Sequence, residues 1–168
     1  MPYELNDDAP AEGIPLLDYY GVAPERVAHI QAAMRRRAAE AGLPYRAPEI
    51  IPNTRKAHIL AEYAREEGRV GPVHTALFRA HFTEGRNLAD AEVLRQVAQV
   101  AGLDPDAAMA AIDAPRYAQA YEANLRRARD LDITSLPTIV VNGRHKIVGM
   151  KPYAELRDAL AQIAAEEA

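Results

Sequence analysis

The sequence predicts an α/β protein in which a long series of helices is followed by a β-hairpin and a last helix. Three observations carry that expectation. Apolar residues recur at helical spacing in one segment after another between residues 16 and 131. Only the stretch from Ile133 to Gly149 reads plainly as sheet. Alanine supplies much of the 49% hydrophobic content while aromatic residues make up 6%, which suits close-packed helices better than strands.

In chain order, residues 1–15 are polar and carry Pro2, Pro10, Gly13 and Pro15; Tyr3 and Leu5 read as the end of a strand. A short helix over 16–22 stops at Gly21. Pro24 opens the next helix, at the first-turn position where proline is tolerated, and Val27, Ile30, Met34, Ala38 and Ala41 form its inward stripe up to Gly42. Residues 43–52 hold Pro44, Pro48 and Pro52 and read as a connector. Asn53 or Thr54 caps a helix whose Ala57, Leu60, Ala61 and Ala64 face inward until Gly68. A helix from Val73 carries Leu77, Phe78, His81 and Phe82 and ends near Gly85. Asp90 caps one carrying Val93, Leu94, Val97 and Val100, stopped by Gly102. Asp104-Pro105 starts a short helix with Met109 and Ile112. Pro115 starts another, with Tyr117, Tyr121, Leu125 and Ala128, that runs to about Leu131.

The sheet signal follows. Ile139, Val140 and Val141 are β-branched, Asn142-Gly143 suits a two-residue hairpin turn, and Ile147-Val148 return before Gly149. Pro137 precedes the first strand, either as a strand-start breaker or as a cis-proline holding a site. The last helix follows Pro152, with Leu156, Leu160 and Ile163 at helical spacing.

Composition excludes several classes. The 168 residues carry 20 basic and 24 acidic side chains, a net charge of −4 with no basic block, so nucleic acid is not an expected partner. Arg35-Arg36-Arg37 reads as a solvated helix turn. There is no cysteine, hence no disulfide, thiolate metal site or cysteine nucleophile in these residues. No run is long and apolar enough for a membrane span. The first residues do not read as a signal peptide, so the expected location is the cytoplasm.

Candidate chemistry is sparse. His74, His81 and Glu84 could share a helix face but lack the i, i+4 pairing of a helical metal site. His58 and Glu62 have that spacing and no third ligand, and read as a surface pair. Tyr117 and Tyr121 read as helix packing, and Phe78 and Phe82 as core. Ser135 lacks a helix start and a base and reads as a turn residue. No metal and no cofactor are expected.

Taken together, several stretches resemble the DsbA-like thioredoxin superfamily, in the FrnE-like branch of disulfide oxidoreductases and their relatives the 2-hydroxychromene-2-carboxylate isomerases. These are Pro2 to Gly13, Asn53-Thr54 with Ala57-His58 and Ala64-Arg65, the run Ala76 to Leu88, Leu94, Ala101 to Asp104, Ile133 to Thr138, and Gly149 to Tyr153. In the cis-proline loop, Ser135 and Leu136 stand where that family has a small residue and valine.

The resemblance implies a thioredoxin-like fold with a large all-helical insertion. The expected parts are residues 1–15 as the end of the second strand with its exit loop, 16–131 as the helical insertion, and 132–168 as the closing β-β-α. It also implies a cis Pro137 and thiol–disulfide exchange as the group's reaction. Ser135, Leu136, Pro137 and Thr138 would form the substrate-binding loop for a peptide or thiol substrate, with Phe78, His81 and Phe82 along a groove. In the family the first strand, the Cys-x-x-Cys or serine-bearing turn and the first helix come before the segment matched by Pro2 to Gly13. The expectation is therefore a fold truncated at its N-terminus and inactive alone, its Thr138–Val141 edge left to pair with a second copy in a homodimer. The alternatives are a non-catalytic module that holds a peptide or partner on that edge, and a glutathione-dependent isomerase relative.

Overall fold

The structure, a computed structural model, describes residues 9–10 and 12–167; the strand end expected at Tyr3 and Leu5 lies outside them. The elements run β1 (Ile14–Pro15), α1 (Leu16–Tyr20), α2 (Pro24–Glu40), β2 (Ile50–Ile51), α3 (Arg55–Glu66), α4 (Val70–Phe82), α5 (Ala91–Val100), α6 (Pro105–Asp113), α7 (Pro115–Asp130), β3 (Thr138–Val141), β4 (His145–Val148) and α8 (Tyr153–Glu166). The chain divides into two compact units, one through Asn124 and one from Leu125. Among the described residues no helix is long and apolar enough to cross a membrane.

The first unit is built on α3 to α6. Three of these helices start at a side-chain hydrogen bond. Asn53 Oδ1 accepts the Arg55 N–H ahead of α3, Asp90 Oδ1 accepts the Glu92 N–H at α5, and Asp104 Oδ1 accepts the Ala107 N–H at α6. These carboxylate and amide caps satisfy N–H groups that a helix start leaves without partners. The inward faces form one core of Leu60 and Ala64 from α3, Val73 and Leu77 from α4, Leu94, Val97 and Ala98 from α5, and Ala108 and Ile112 from α6. Alanine at many of these positions lets the helices approach closely. The N-terminal half of α7 adds Tyr117 and Tyr121, both buried. Tyr117 packs edge-on against Tyr63, and its hydroxyl donates to Glu66 at 2.9 Å.

Several details differ from expectation. α4 begins at Val70, three residues early, because proline at Pro72 falls in the first turn, where its missing N–H costs nothing. Phe78 is 63% exposed, not core: the buried stripe of α4 is Val73, Ala76, Leu77 and Ala80. Val100 is likewise exposed, since Ala98 and Ala101 continue the buried stripe of α5 and leave Val100 at its edge. His58 and Glu62 are not a surface pair. Glu62 is buried and accepts from Asn124 Nδ2 at 3.0 Å, while His58 stacks on the Tyr121 ring. Met34 of α2 is exposed, and its stripe is only partly covered by described residues. The 43–52 connector contains β2, which pairs antiparallel with β1 through Ile14–Ile51 and Pro15–Ile50. Two-residue strands flanked by prolines are too short to leave a period-2 signal.

In the second unit β3 and β4 form a separate two-stranded antiparallel sheet, with Thr138 opposite Val148 and Val141 opposite His145. That register makes the connection three residues, Asn142 to Arg144, rather than two. Asn142 (φ 51°) and Gly143 (φ 74°) both lie in the left-handed region, and the Arg144 N–H returns to the Val141 carbonyl at 3.2 Å. α8 buries no side chain fully; its Leu160 is 41% exposed.

Candidate functional site

The loop expected to bind substrate lies between the end of α7 and β3. α7 ends in a tight sequence of bonds: Asp132 N–H to Arg129 O at 2.8 Å and Ile133 N–H to Ala128 O at 3.0 Å, with Asp132 at φ 49°. Lys146 on β4 donates to the Leu131 and Asp132 carbonyls at 2.9 and 3.1 Å. A cation there opposes the negative end of the helix dipole and anchors β4 to the residues that lead into the loop. No periodicity in the sequence marks Lys146; its role comes from the fold.

Across the loop the Leu136–Pro137 peptide bond is cis. The Thr138 hydroxyl donates to the Ser135 carbonyl at 2.7 Å, and the Gly149 N–H donates to the Pro137 carbonyl at 2.8 Å. Ser135 therefore serves the turn through its backbone. The Leu136 side chain is 49% exposed, and its own N–H and carbonyl have no hydrogen-bond partner among the described residues. β3 is bonded on one side only, to β4; its other edge is open among the described residues. An open edge offers an extended chain a ready row of donors and acceptors.

The expected groove residues sit on α4 in the first unit. Phe78 stacks on Phe82 with centroids 5.8 Å apart, Tyr45 stacks on Phe82 at 6.3 Å, and His81 meets Phe82 edge-on at 4.6 Å. Burial pushes the His81 imidazole below its ordinary pKa, against the nearby Arg86 backbone, which raises it. Among the described residues no group of His, Asp and Glu side chains is arranged to hold a metal ion.

The family model of the DSBA-like thioredoxin domain matches residues 1–161. The chain belongs to the DsbA-like thioredoxin family. The DsbA-like chain is 26% identical over 144 residues to YwbO, an uncharacterized protein of Bacillus subtilis, a match that spans 84% of this chain and 70% of that protein. It superimposes on the crystal structure of a probable DsbA oxidoreductase from Streptomyces coelicolor with a TM-score of 0.89 and 28% identity, covering 98% of this chain and 74% of that one. A 2-hydroxychromene-2-carboxylate isomerase shares the fold, with a TM-score of 0.72 at 17% identity over 90% of this chain and 77% of that one. The fold is thus the thioredoxin-like DsbA fold with a helical insertion, and the 168 residues of this member contain no cysteine.

The hairpin of the DsbA-like chain is held at its far end by a clasp. Glu167 receives Arg144 at 2.7 Å and also the Asn142 amide, and the His145 ring Nε2 lies 3.2 Å from its carboxylate. The Arg144 hydrogen bond, helped by Asn142, holds the Glu167 carboxyl below its usual range. A depressed carboxylate stabilises the folded state above its unfolded pKa, and that contribution disappears as pH falls through the folded value. Acidification below the ordinary carboxylate range is therefore expected to release the clasp. Amide resonances of Asn142 and Gly143, followed by NMR from neutral to acid pH, should shift with an acid midpoint that Glu167→Ala abolishes. An unchanged profile in the variant would show that Glu167 does not hold the turn.

Proposed function

We propose that this chain takes part in thiol–disulfide exchange as the side that holds the substrate, an extended peptide laid along the open edge of β3. The observation that supports this reading is that, among the described residues, the Leu136 backbone has no hydrogen-bond partner and continues into the open edge of Thr138–Val141. A peptide added there forms main-chain bonds to the edge, and the exposed Leu136 side chain contributes an apolar contact. In the exchange itself, a thiolate attacks one sulfur of a disulfide, the new S–S bond forms, and the other sulfur leaves as thiolate. With no cysteine in these residues, the attacking thiolate comes from a cysteine outside them or from a small thiol. The reading places the work in the cytoplasm, where thiols are kept reduced.

Two measurements test it. The 168-residue chain alone should reduce insulin no faster than buffer, and turnover above that baseline would overturn the division of labour proposed. A fluorescently labelled extended peptide should bind by anisotropy, and Ile139→Lys should weaken it about tenfold, because a lysine on an edge strand opposes further pairing. Ile139 is 43% exposed, so the substitution tests the edge without opening the core. Equal binding by both proteins would rule out the edge.

The same edge favours a second reading, in which its occupant is another copy of this chain. Two Thr138–Val141 strands can pair antiparallel about a two-fold axis. Light scattering should then give twice the chain mass for the parent and a monomer for Ile139→Lys; a parent that stays monomeric at high concentration removes this reading.

A further inference from the structure

The first unit contains a pocket that the peptide edge does not use. It lies between the residues 46–50 of the connector, the last turn of α4 and the 85–87 loop, with a volume of about 180 Å³, the space of roughly six waters. Arg46, Arg86, His81 and Asn87 line it together with the apolar Pro48 and Ile50.

We propose that this pocket binds a small monocarboxylate, with the Arg46 guanidinium as its principal anchor. Arg46 donates a single side-chain hydrogen bond, to the Glu84 carbonyl at 3.3 Å, and has no ion-pair partner among the described residues. A guanidinium has five N–H donors in a planar fork, so most of its capacity is free for a carboxylate, which it can take in two parallel bonds.

The arginine is placed, not adrift. Its N–H donates to the Phe82 carbonyl at 2.7 Å, and the ring of the preceding Tyr45 stacks on Phe82. The guanidinium lies against Gly85, where a Cβ would come within 2.9 Å of Nε and 3.2 Å of Cζ. Gly85 also sits at φ +70°, a conformation that side chains rarely adopt.

The surrounding charges point to a monoanion. Glu84 is engaged elsewhere: its carboxylate takes Arg79 at 3.0 Å and lies 3.7 Å from Arg86. Arg86 donates to Gln96 at 2.8 Å and adds its charge to the wall. Glu49 also lines the pocket, and a negative charge on that residue disfavours a dianion such as phosphate. The Asn87 Oδ1 accepts the Ala89 N–H, which fixes the amide and leaves Nδ2 as a further donor. His81 Nδ1 is buried with no hydrogen-bond partner among the described residues, which leaves a polar atom beside the pocket for a ligand to meet.

The test is an NMR titration of the full chain with sodium lactate, with inorganic phosphate and sodium chloride at matched ionic strength. Lactate should produce saturable shifts at the Gly85, Arg86 and Asn87 amides while Ile139 to Val141 stay unchanged. Arg46→Gln should weaken lactate about tenfold, the loss expected of one charged hydrogen bond. Gly85→Ala, which keeps both arginines but pushes on the Arg46 guanidinium, should weaken it as well. Shifts that follow ionic strength alone, phosphate binding tighter than lactate, or parent-like affinity in both variants would overturn the proposal.

Discussion

Leu94→Ala is expected to destabilise the first unit by about 3 kcal/mol, the middle of the range for emptying a leucine site in a packed core. Leu94 is fully buried among Leu60, Val73, Leu77 and Ile112 in the α3–α6 core. Its neighbours come from four packed helices and cannot easily collapse into the space left behind. A loss of that size lowers the melting temperature by roughly 6–12 °C in a chain of this length. Val100→Ala supplies the contrast. Both residues lie on the apolar stripe that the sequence suggests for α5, yet Val100 is 77% exposed, and its truncation should leave the melting temperature within error. Calorimetry on the pair distinguishes the observed core from the periodic one. Equal effects would mean that α5 is rotated from the position described.

The second large effect is expected at Glu62. This carboxylate is 7% exposed, accepts from Asn124 at 3.0 Å and lies 3.4 Å from Arg65 Nε. Glu62→Ala removes the acceptor and leaves the Asn124 amide without its partner, at a cost of about 1–3 kcal/mol. Glu62→Gln keeps an acceptor oxygen for Asn124 and should lose less, since only the Arg65 attraction goes. Chemical denaturation of the three proteins checks the order parent, glutamine, alanine. An alanine variant as stable as the parent would show that the α3–α7 contact does not depend on this bond.

The sequence made much of the fold legible because its punctuation is strong. Gly21, Gly42, Gly68 and Gly102 follow helices, Asp90 and Asp104 head them, and the β-branched run at Ile139 to Val141 stands alone. Residue type and local spacing are enough for features of that kind. What stayed hidden depends on neighbours distant in the chain. The β1–β2 ladder joins residues more than thirty positions apart with only two pairs, too few for any alternation. Which side of α4 is covered depends on α3 and α5, so Phe78 looked like core and is solvent-facing. His58 and Glu62 have the spacing of an exposed helical pair, and only the arrival of α7 with Tyr121 and Asn124 covers them. The expectation that the Ser135–Thr138 loop holds substrate rests on a resemblance carried by Ile133 to Thr138; the edge beside it, open among the described residues, is a property of pairing. The Arg46 pocket left no trace in the sequence, because it joins a proline-rich connector to a turn forty residues away.

The way the first unit packs also bears on how it forms. α4 rests on α3, α5 on α4 and α6 on α5, with only the α3–α6 contact closing the ring. Three of these four contacts join partners separated by a short loop, and short closures cost little chain entropy; the α3–α6 contact closes a longer stretch of chain. Local helix contacts of that kind belong to fast folding, so these four helices can reach their native arrangement independently of the strand pairing at the end of the chain.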